Sequence, residues 1–435
     1  MPEEAENWRD GVSQPVADEI DCIIKAFRGS SDRRPEIRAA RNERGVDHLY
    51  AEGQILVRAE YLDRVLEILG EQSERDLQAS APERTRRVIG GVALLTLAGS
   101  RTVSEALTEI DRQLGRGIAT PDHVLTVAGE GGEGMACPAT EPQQAYCDIE
   151  PYPAVSGEHA GAGVLIYQAD TGLLDDAAST HSWLAGVQAA DIDPLPPKLP
   201  GGVQPIPPYA GHGTFVAGVI RCMAPAADIV VANAFSIAGS QLESDLVTRL
   251  EDELRRGVDI FHLSIAARSR HDLPLIAFEQ WLNRLNQYKG SICICPAGND
   301  SSRRPNWPGA FPGVIAVGAL GSDWHGRASF TNFGGWVDVY APGRDLVNAF
   351  ATGTYTCHVA PYTGQVREFY GMAKWSGTSF STPIVTGLIA ARMSRTGENA
   401  AQAAAALLAE ARAQAIPGVG PVLLPHHFGG WAQSG

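Results

Sequence analysis

Six mainly apolar runs, all after residue 163, constrain the fold of the chain more than any other feature. Segments with helical periodicity separate them. A strand that is apolar at every position is buried on both faces, which is typical of a parallel sheet covered by helices on each side. The sequence therefore predicts a doubly wound α/β fold, in which reactive groups gather at the carboxyl ends of the strands. The runs are residues 164–169, 229–235, 258–265, 292–295, 314–319 and 337–340.

The region before these runs has a different pattern. Residues 1–48 contain an amphipathic helix at 14–27 and a charged connector at 29–45, which we expect to be solvated. Residues 49–129 alternate strands with helices and predict a small α+β domain of the ferredoxin-like type, provided that one further short strand lies between residues 70 and 87. The predicted strands are 54–58, 88–97 and 123–127, and the predicted helices are 61–69 and 104–114.

Residues 130–162 are rich in glycine, proline, alanine and glutamate and have few large apolar side chains. This composition predicts a linker between the ferredoxin-like domain and the parallel sheet, which we assign to residues 163–435.

The chain has 435 residues with a formal net charge of −15, from 35 basic and 50 acidic residues. This balance argues against nucleic acid and anionic membrane surfaces as partners. The longest apolar run, 88–98, is too short and too interrupted by glycine to span a bilayer. Because the N-terminus also lacks the apolar segment of a secretory signal, we expect a cytoplasmic protein and leave export by a non-standard route open.

Seven cysteines are expected to be reduced thiols in such a protein. Cys293 and Cys295 alternate within one predicted strand and should point to the same face. A zinc site would need a second ligand pair at suitable spacing, which the sequence lacks, so buried thiols are favoured. Cys137 and Cys147 flank the linker and would pair under oxidising conditions. His426 and His427 are a weak metal signal, and an ordinary tail is the favoured interpretation.

The segment Gly377-Thr378-Ser379-Phe380-Ser381-Thr382-Pro383 places a serine between a turn of small residues and a predicted helix at 384–393. Free backbone N–H groups at a helix start can bind the oxyanion that forms when a serine attacks a carbonyl. Pro383 fits the first turn of such a helix. Alone, the segment is equally typical of a capped structural helix.

Three further polar residues occupy strand ends or helix starts. Asp170 ends the first apolar run, His212 begins a helix rich in glycine and alanine, and Asn299 follows the fourth run. Each residue alone is typical of a turn or a structural contact. Together with Ser379, an acid, a base and an amide donor at one edge of one sheet indicate a nucleophilic catalytic site.

These motifs, over residues 163–393, resemble those of the subtilisin-like serine peptidases, including the chain order of acid, histidine and serine. The resemblance implies that Ser379 is the nucleophile and His212 its general base. Asp170 would orient the imidazole, and Asn299 would donate its amide to the oxyanion beside the backbone N–H of Ser379.

The resemblance also implies a cleft in which a substrate peptide pairs as an extra strand. Residues 235–240 would form its opposite edge. Ala266 stands where the family usually has glycine, which would narrow the primary specificity pocket, so no preference is assigned. The implied substrate-binding residues are Leu263, Ser264, Ile265, Ala266, Ala297 and Gly298.

Two segments depart from the family pattern. Residues 173–211 are long and proline-rich, and a stiff surface excursion is favoured over a loop beside the cleft; residues 351–374 look inserted before the nucleophile. Many family members bind structural calcium. Asp175 and Asp176 are available acids, but no dense ligand loop indicates a calcium site. Catalysis is expected to need no cofactor or metal.

The sequence thus predicts a serine endopeptidase that cleaves peptides or proteins through an acyl-enzyme. A catalytically silent peptide-binding protein and an esterase with the same triad are the alternatives. Residues 49–129 resemble the inhibitory pro-domains of this family, which implies an internal inhibitor cleaved off within residues 129–163. A module that recruits targets or a partner is the rival interpretation.

Overall fold

The computed structural model describes residues 9, 12–29, 35–43, 45–127, 139–145, 150–155, 157–235 and 239–425. Its N-terminal part ends at Val127, the last described residue before a gap. The helices and strands of this part are, in chain order, α1 (Gln14–Gly29), β1 (Ile37–Asn42), β2 (Gly45–Arg58), α2 (Leu62–Ile68), α3 (Glu74–Ser80), β3 (Thr85–Ile89), β4 (Val92–Thr96), α4 (Val103–Leu114) and β5 (Ala119–Thr126).

Strands β2 to β5 form an antiparallel sheet in the order β5-β2-β4-β3. Helix α2 connects β2 to β3 and α4 connects β4 to β5, which is the βαββαβ connectivity of a ferredoxin-like domain. The helices cover one face of the sheet through an apolar cluster that includes Leu66, Leu107 and Ile110. Strand order and connectivity agree with the predicted ferredoxin-like domain.

The charged connector expected at residues 29–45 is instead partly a strand. Strand β1 pairs with the first half of β2, and α1 packs on both through Ile23, Ile37 and Leu49. Strand β1 lies at the sheet edge with only Ile37 buried, so its charged residues reach solvent. It therefore lacks the apolar pattern from which the other strands were predicted. Strand β2 also runs across position 48, where the sequence suggested a boundary.

The single strand predicted at residues 88–97 is instead a hairpin of β3 and β4, which turn at Gly90 and Gly91. Gly91 has a φ of +97°, a left-handed conformation that glycine adopts without steric cost. Strand β3 begins at Thr85 and so also supplies the further strand expected between residues 70 and 87.

The C-terminal part contains the remaining elements. They are β6 (Gln143–Gln144), β7 (Leu165–Asp170), α5 (Ala177–Thr180), β8 (Gln188–Ala189), β9 (Pro205–Ile206), α6 (His212–Met223), β10 (Asp228–Asn233), β11 (Ser240–Leu242), α7 (Glu243–Glu253), β12 (Ile260–Leu263), α8 (Ile276–Leu285), β13 (Ile292–Pro296), β14 (Val314–Leu320), β15 (Val339–Pro342), β16 (Leu346–Thr356), β17 (Val366–Trp375), α9 (Thr378–Thr396) and α10 (Ala400–Ala413).

A parallel sheet in the order β15-β14-β13-β12-β7-β10-β8 lies at the centre of this part. Alternate side chains along its strands enter two apolar layers. Ile166 and Ile260 face a layer with α6, α9 and α10, whereas Tyr167 and Phe261 face a layer with α7 and α8. The predicted doubly wound α/β fold is confirmed, because all six apolar runs are strands of this sheet.

The two segments that depart from the family pattern lie together. Strands β16 and β17 form a long hairpin within the sheet β6-β17-β16-β9, so the proline-rich segment contributes a strand to it. Between the hairpin and that segment is a cavity of about 850 Å³, whose lining includes Asp175, Asp176, Lys198, Glu368 and Tyr370.

Part of the predicted linker belongs to the C-terminal part. Ala139 is buried with Ala319 and Phe330, β6 pairs with β17, and Tyr152 pairs with Val347. Residues 130–138, 146–149 and 156 of that segment, which include Cys137 and Cys147, lie outside the described residues, as do His426 and His427.

The two parts share an extensive interface. Strand β11 of the C-terminal part pairs with β5 and thereby extends the N-terminal sheet. The sheet face that α2 and α4 leave open packs on α7 and α8, where Leu56, Val92 and Leu125 join the same apolar layer as Leu250 and Trp281. Among the described residues, no helix combines the length and apolar character needed to cross a bilayer.

Candidate active site

Asp170 and His212 form a buried pair at the carboxyl edge of the parallel sheet. Asp170 is the last residue of β7, and His212 is the first of α6. The Nδ1 atom of His212 lies 2.7 Å from Oδ1 of Asp170, and neither side chain is exposed. A β-carbon at Gly213 would collide with the backbone of Gly172, so glycine at this position lets the helix start approach the strand end.

The environment of Asp170 favours its ionised form. Burial raises the pKa of this carboxyl, but the charge of His212 and hydrogen bonds from His212, Thr171 and Ser264 outweigh burial and hold the pKa below its usual range. The backbone N–H of Thr171 donates to the same oxygen as His212, at 2.8 Å. Asp170 can therefore fix the imidazole and stabilise its cation.

Ser379 is the second residue of α9 and is completely buried. Its hydroxyl does not contact His212 through a hydrogen bond; it donates to the backbone carbonyl of Val127 at 2.9 Å. His212 Nε2 has no hydrogen-bond partner among the described residues. In this state the serine faces a carbonyl group of the N-terminal part, with the base beside it.

The helix that carries Ser379 begins earlier than the sequence suggested. It starts at Thr378 and includes Pro383, which therefore stands in the second turn and not in the first. A proline there has no N–H to donate to the carbonyl of Ser379. The early start places the backbone N–H groups of Thr378, Ser379 and Phe380 at the positive end of the helix. Thr378 donates there to Asn299, and Phe380 donates to the carbonyl of Gly377.

Asn299 follows β13 and is held by the same helix start. Its side-chain oxygen accepts hydrogen bonds from the backbone N–H and the hydroxyl of Thr378, each at 2.9 Å. The amide oxygen is thereby fixed on α9. The Thr378 hydroxyl also accepts from the N–H of Gly298 at 3.1 Å.

Ala297 and Gly298 form the wall next to Asn299. The carbonyl of Ala297 accepts a hydrogen bond from the side chain of Asn332 at 2.9 Å. Gly298 has a φ of +96°, and a β-carbon there would collide with Asn306 and Asn332. This wall therefore requires glycine for both its backbone conformation and its packing.

The end of the N-terminal part lies between the two predicted edges of the cleft. Thr126 and Ala266 exchange both backbone hydrogen bonds, at 3.1 and 2.9 Å, and Val127 donates to the carbonyl of Gly239 at 2.9 Å. Leu263, Ser264 and Ile265, the other residues of the predicted edge, are buried behind Ala266. Of the opposite edge, residues 236–238 lie outside the described residues.

A second contact joins the same strand to the helices of the C-terminal part. Asp122 accepts from the N–H and hydroxyl of Ser244, at 3.0 and 2.6 Å, at the start of α7. Glu243 in turn accepts from the N–H of Ala277 at the start of α8, at 2.8 Å. Carboxyl groups thus satisfy free N–H groups at both helix starts, as capping residues do.

Burial strongly perturbs the titratable groups of this contact. It raises the pKa of Asp122 to about 7 and that of Glu243 to about 8. Burial and the charge of Arg270 lower the pKa of His123 to about 3. His123 Nδ1 and Glu243 Oε2 lie 3.5 Å apart, and burial disfavours the charged form of each side chain.

Sequence reasoning missed several residues of this site. Thr378 was visible only as part of the serine motif, although it orients Asn299. The sequence predicts Val127 only as the end of a strand at 123–127 and gives Asp122 no role, because a pairing 252 residues away from Ser379 leaves no local signal.

The remaining predicted features lie away from this edge. Cys293 and Cys295 point to one buried face of β13 with sulfur atoms 3.8 Å apart, as their alternation predicted. Asp175 and Asp176 line the cavity beside the β16–β17 hairpin. Within the described ranges, no three His, Cys, Asp or Glu side chains are arranged to hold a metal ion.

Comparison with known proteins gives a family match over most of this region. The model of the subtilase family of peptidases, Peptidase_S8, matches residues 161–429. The chain is 33% identical over 199 residues to the thermophilic serine proteinase of Bacillus sp. (strain AK1), covering 43% of each protein. It is 28% identical over 239 residues to subtilisin Savinase of Lederbergia lenta, covering 53% of this chain and 76% of that protein.

Among solved structures, fervidolysin from Fervidobacterium pennivorans, a keratinolytic enzyme related to subtilisin, matches 89% of this chain and 61% of its own with a TM-score of 0.58. At 16% sequence identity this likeness concerns the fold alone. The matches span less than two thirds of the Bacillus proteinase and of fervidolysin.

Proposed function

The chain belongs to the subtilase family, and from that premise we propose that it is a serine endopeptidase that acts through an acyl-enzyme. The main support for the proposal is the buried pair of Asp170 and His212, whose Oδ1 and Nδ1 atoms lie 2.7 Å apart. Ser379, at the start of α9, lies at the same edge of the sheet. An acid, a base and a nucleophile in this relation activate a serine hydroxyl at neutral pH.

In the proposed reaction the Ser379 oxygen attacks the carbonyl carbon of the scissile peptide bond while its proton passes to Nε2 of His212. The Asn299 amide and the Ser379 backbone N–H donate to the oxyanion. The C–N bond then breaks, and His212 returns the proton to the leaving amine. A water molecule, deprotonated by His212, attacks the acyl-enzyme and releases the acid and Ser379.

We further propose that the N-terminal part inhibits the peptidase until it is cut off. Its last described strand enters the cleft as a substrate would, paired with Ala266 and with the Val127 carbonyl on the Ser379 hydroxyl. This position supports cleavage immediately after Val127 or after Ala128, just before residues 129–163, where the sequence predicts processing. The segment from Ala139 onward, which packs in the C-terminal part, would remain with the peptidase.

Covalent labelling with a fluorophosphonate tests the proposed nucleophile. We expect label on Ser379 of the processed protein and none on Ser379→Ala or after blocking the site. A folded, processed chain that takes up no label would refute a serine-peptidase mechanism and favour a silent peptide-binding protein. Matched peptide and ester substrates then separate a peptidase from an esterase.

Incubation of the wild type beside Ser379→Ala tests the inhibitory role. We expect the wild type to yield a fragment that begins at Ala128 or Gly129, as read by N-terminal sequencing, and the variant to stay intact. Removing Ser379 should also lower turnover by several orders of magnitude, on the order of 10⁶-fold. Wild-type chains that stay full length while cleaving a peptide would contradict self-removal of the N-terminal part.

A further inference from the structure

One carboxyl group of the proline-rich segment lies inside the molecule. Asp193 is buried, whereas Ile192 and Pro194 on either side of it are exposed. The N–H of Asp193 donates to the carbonyl of Leu173 at 2.8 Å, so backbone pairing holds the segment against the chain that follows β7. A carboxyl group is rarely buried unless other groups donate hydrogen bonds to it. The donors to Asp193 therefore indicate what this side chain does.

A single oxygen of Asp193 joins the end of β7 to the start of α6. Oδ2 accepts from the hydroxyl of Thr171, just after β7, at 3.0 Å, and from the backbone N–H of Gly211, just before α6, at 2.7 Å. The Thr171 hydroxyl in turn accepts from the N–H of Gly213, in the first turn of α6, at 3.0 Å. The strand end and the helix start are thus held together through one carboxyl group.

The same strand end and helix start carry two residues of the proposed triad. Asp170 is the last residue of β7, and His212 lies between Gly211 and Gly213. The backbone N–H of Thr171 donates at 2.8 Å to Oδ1 of Asp170, the oxygen that lies 2.7 Å from Nδ1 of His212. Because Asp170 and His212 are 42 positions apart in the chain, their separation depends on how β7 and α6 are joined.

We propose that Asp193 is a positioning residue, which fixes the separation of Asp170 and His212 by binding the end of β7 and the start of α6 through Oδ2. Its effect on catalysis rests on the proposed function of the triad. The role requires an acceptor at this position and does not require a charge. Burial raises the pKa of Asp193 to about 7, yet Oδ2 can accept both hydrogen bonds in either protonation state.

Two substitutions at this position separate the acceptor from the charge. Asp193→Asn keeps an oxygen that can accept both hydrogen bonds, whereas Asp193→Ala keeps none. No described group donates to Oδ1 of Asp193, so the amide nitrogen of asparagine can replace that oxygen without displacing a donor. Asp191→Ala is the matched control, because Asp191 anchors the same segment through Asn233 of β10 and Arg249 of α7.

Hydrogen–deuterium exchange tests the contact without any catalytic activity. In full-length Ser379→Ala chain, Asp193→Ala should make the backbone N–H groups of Gly211 and Gly213 exchange about tenfold faster, because the helix start loses the acceptor that holds it. Asp193→Asn and Asp191→Ala should leave their exchange near that of the parent, as read by mass spectrometry of peptides that contain both glycines. Unchanged exchange in Asp193→Ala would overturn the proposal.

Kinetics of the processed enzyme test the effect on catalysis. A displacement of about 1 Å between reacting groups can cost about 100-fold in rate, and we expect Asp193→Ala to lower kcat about tenfold. KM should change little, because the backbone groups of Ala266 and Gly239 that pair with a peptide are untouched. Asp193→Asn should restore most of the rate, and Asp191→Ala should keep the kcat of the wild type.

Thr171→Val tests the other end of the same contact. It removes the hydroxyl that links Asp193 to Gly213 and keeps the backbone N–H that donates to Asp170. We expect a loss of kcat similar to that of Asp193→Ala, and a double variant no slower than the worse single variant, because the two side chains act as a unit. If Asp193→Ala does not fold, Thr171→Val decides in its place.

Equal losses of kcat in Asp193→Ala and Asp193→Asn would contradict the positioning role, because they would assign the effect to the charge. A wild-type kcat in Asp193→Ala would do the same. An equal loss in Asp191→Ala would also contradict it, because it would show that any anchor of the segment has this effect. An inactive wild type would refute the proposed peptidase function, while the exchange measurement would still report on the contact.

Discussion

The N-terminal part contacts the C-terminal part in two physically different ways along one strand and its continuation. At the cleft contact, formed by Thr126 and Val127 with Gly239, Ala266 and Ser379, the hydrogen bonds involve backbone groups and the serine hydroxyl. At the helix contact, formed by Asp122 and His123 with Glu243, Ser244 and Arg270, they involve buried, titratable side chains.

The two contacts therefore differ in how many different chains they can bind. A backbone ladder accepts many sequences, so a cleft that binds this way can process varied peptides. The buried carboxyl group of Asp122 recognises one partner, because a chain without it would leave the N–H and hydroxyl groups of Ser244 without an acceptor. The cleft contact thus resembles substrate binding, whereas the helix contact is specific to this N-terminal part.

The largest effect is expected from breaking the cleft contact alone. Thr126→Pro removes the N–H that donates to Ala266 at 3.1 Å. We expect fluorophosphonate to label Ser379 in the uncleaved chain at least about tenfold faster than in the wild type, because the strand no longer stays in the cleft. Thr126→Val keeps the N–H and serves as the control. Equal labelling of the Pro and Val variants would show that this pairing does not cover the nucleophile.

Breaking the helix contact should change stability more than access to the cleft. Asp122→Ala, made in full-length Ser379→Ala, leaves two donors of Ser244 unsatisfied and should lower the free energy of unfolding by about 1–3 kcal/mol. Asp122→Asn retains an oxygen acceptor and should lose less. Denaturant titration measures both, and an alanine variant as stable as the parent would mean that the cap contributes nothing.

Asp122 also makes the stability of the helix contact depend on pH, whereas the cleft contact has no such titratable side chain. Burial raises the pKa of Asp122 to about 7, above its ordinary 3.8, so folding favours the protonated carboxyl. The stability of the parent relative to Asp122→Asn should therefore fall as pH rises from about 4 to about 7, and level off above that. Denaturant midpoints of both chains across this pH range provide the test. If the stability of the parent relative to Asp122→Asn rose with pH, the expected pH dependence would be contradicted.

The smallest effect is expected at the rim of the helix contact. Arg86 and Asp245 pair at 2.9 Å with side chains 42% and 50% exposed, whereas Arg270 and Asp111 pair at 2.7 Å with side chains 17% and 12% exposed. We expect Arg86→Ala to cost at most about 1 kcal/mol and to matter less at high salt. Arg270→Ala should cost more, because it leaves a carboxylate largely buried. Equal losses by thermal denaturation would contradict this ranking.

The sequence predicted the parallel sheet well because strands buried on both faces must be apolar throughout. It predicted β1 poorly, since an edge strand tolerates charges, and it merged β3 with β4 because the hairpin turns on two glycines inside an apolar run. The four predicted site residues each lie at a strand end or a helix start, and the alternation of apolar runs with helical segments predicts such positions. They are Asp170, His212, Asn299 and Ser379. Pairings such as Val127 with Ser379 depend on how two parts dock, and no local periodicity encodes docking.

Strand β11 belongs to the C-terminal part by its place in the chain and to the N-terminal sheet by its hydrogen bonds. If the proposed cleavage removes β5, the backbone groups of Ser240–Leu242 that paired with it become an open sheet edge. Open sheet edges attract strands from any source, including other copies of the same chain. The C-terminal part should therefore self-associate most readily just after the proposed cleavage. This self-association should increase with protein concentration and decrease when peptide substrate is abundant.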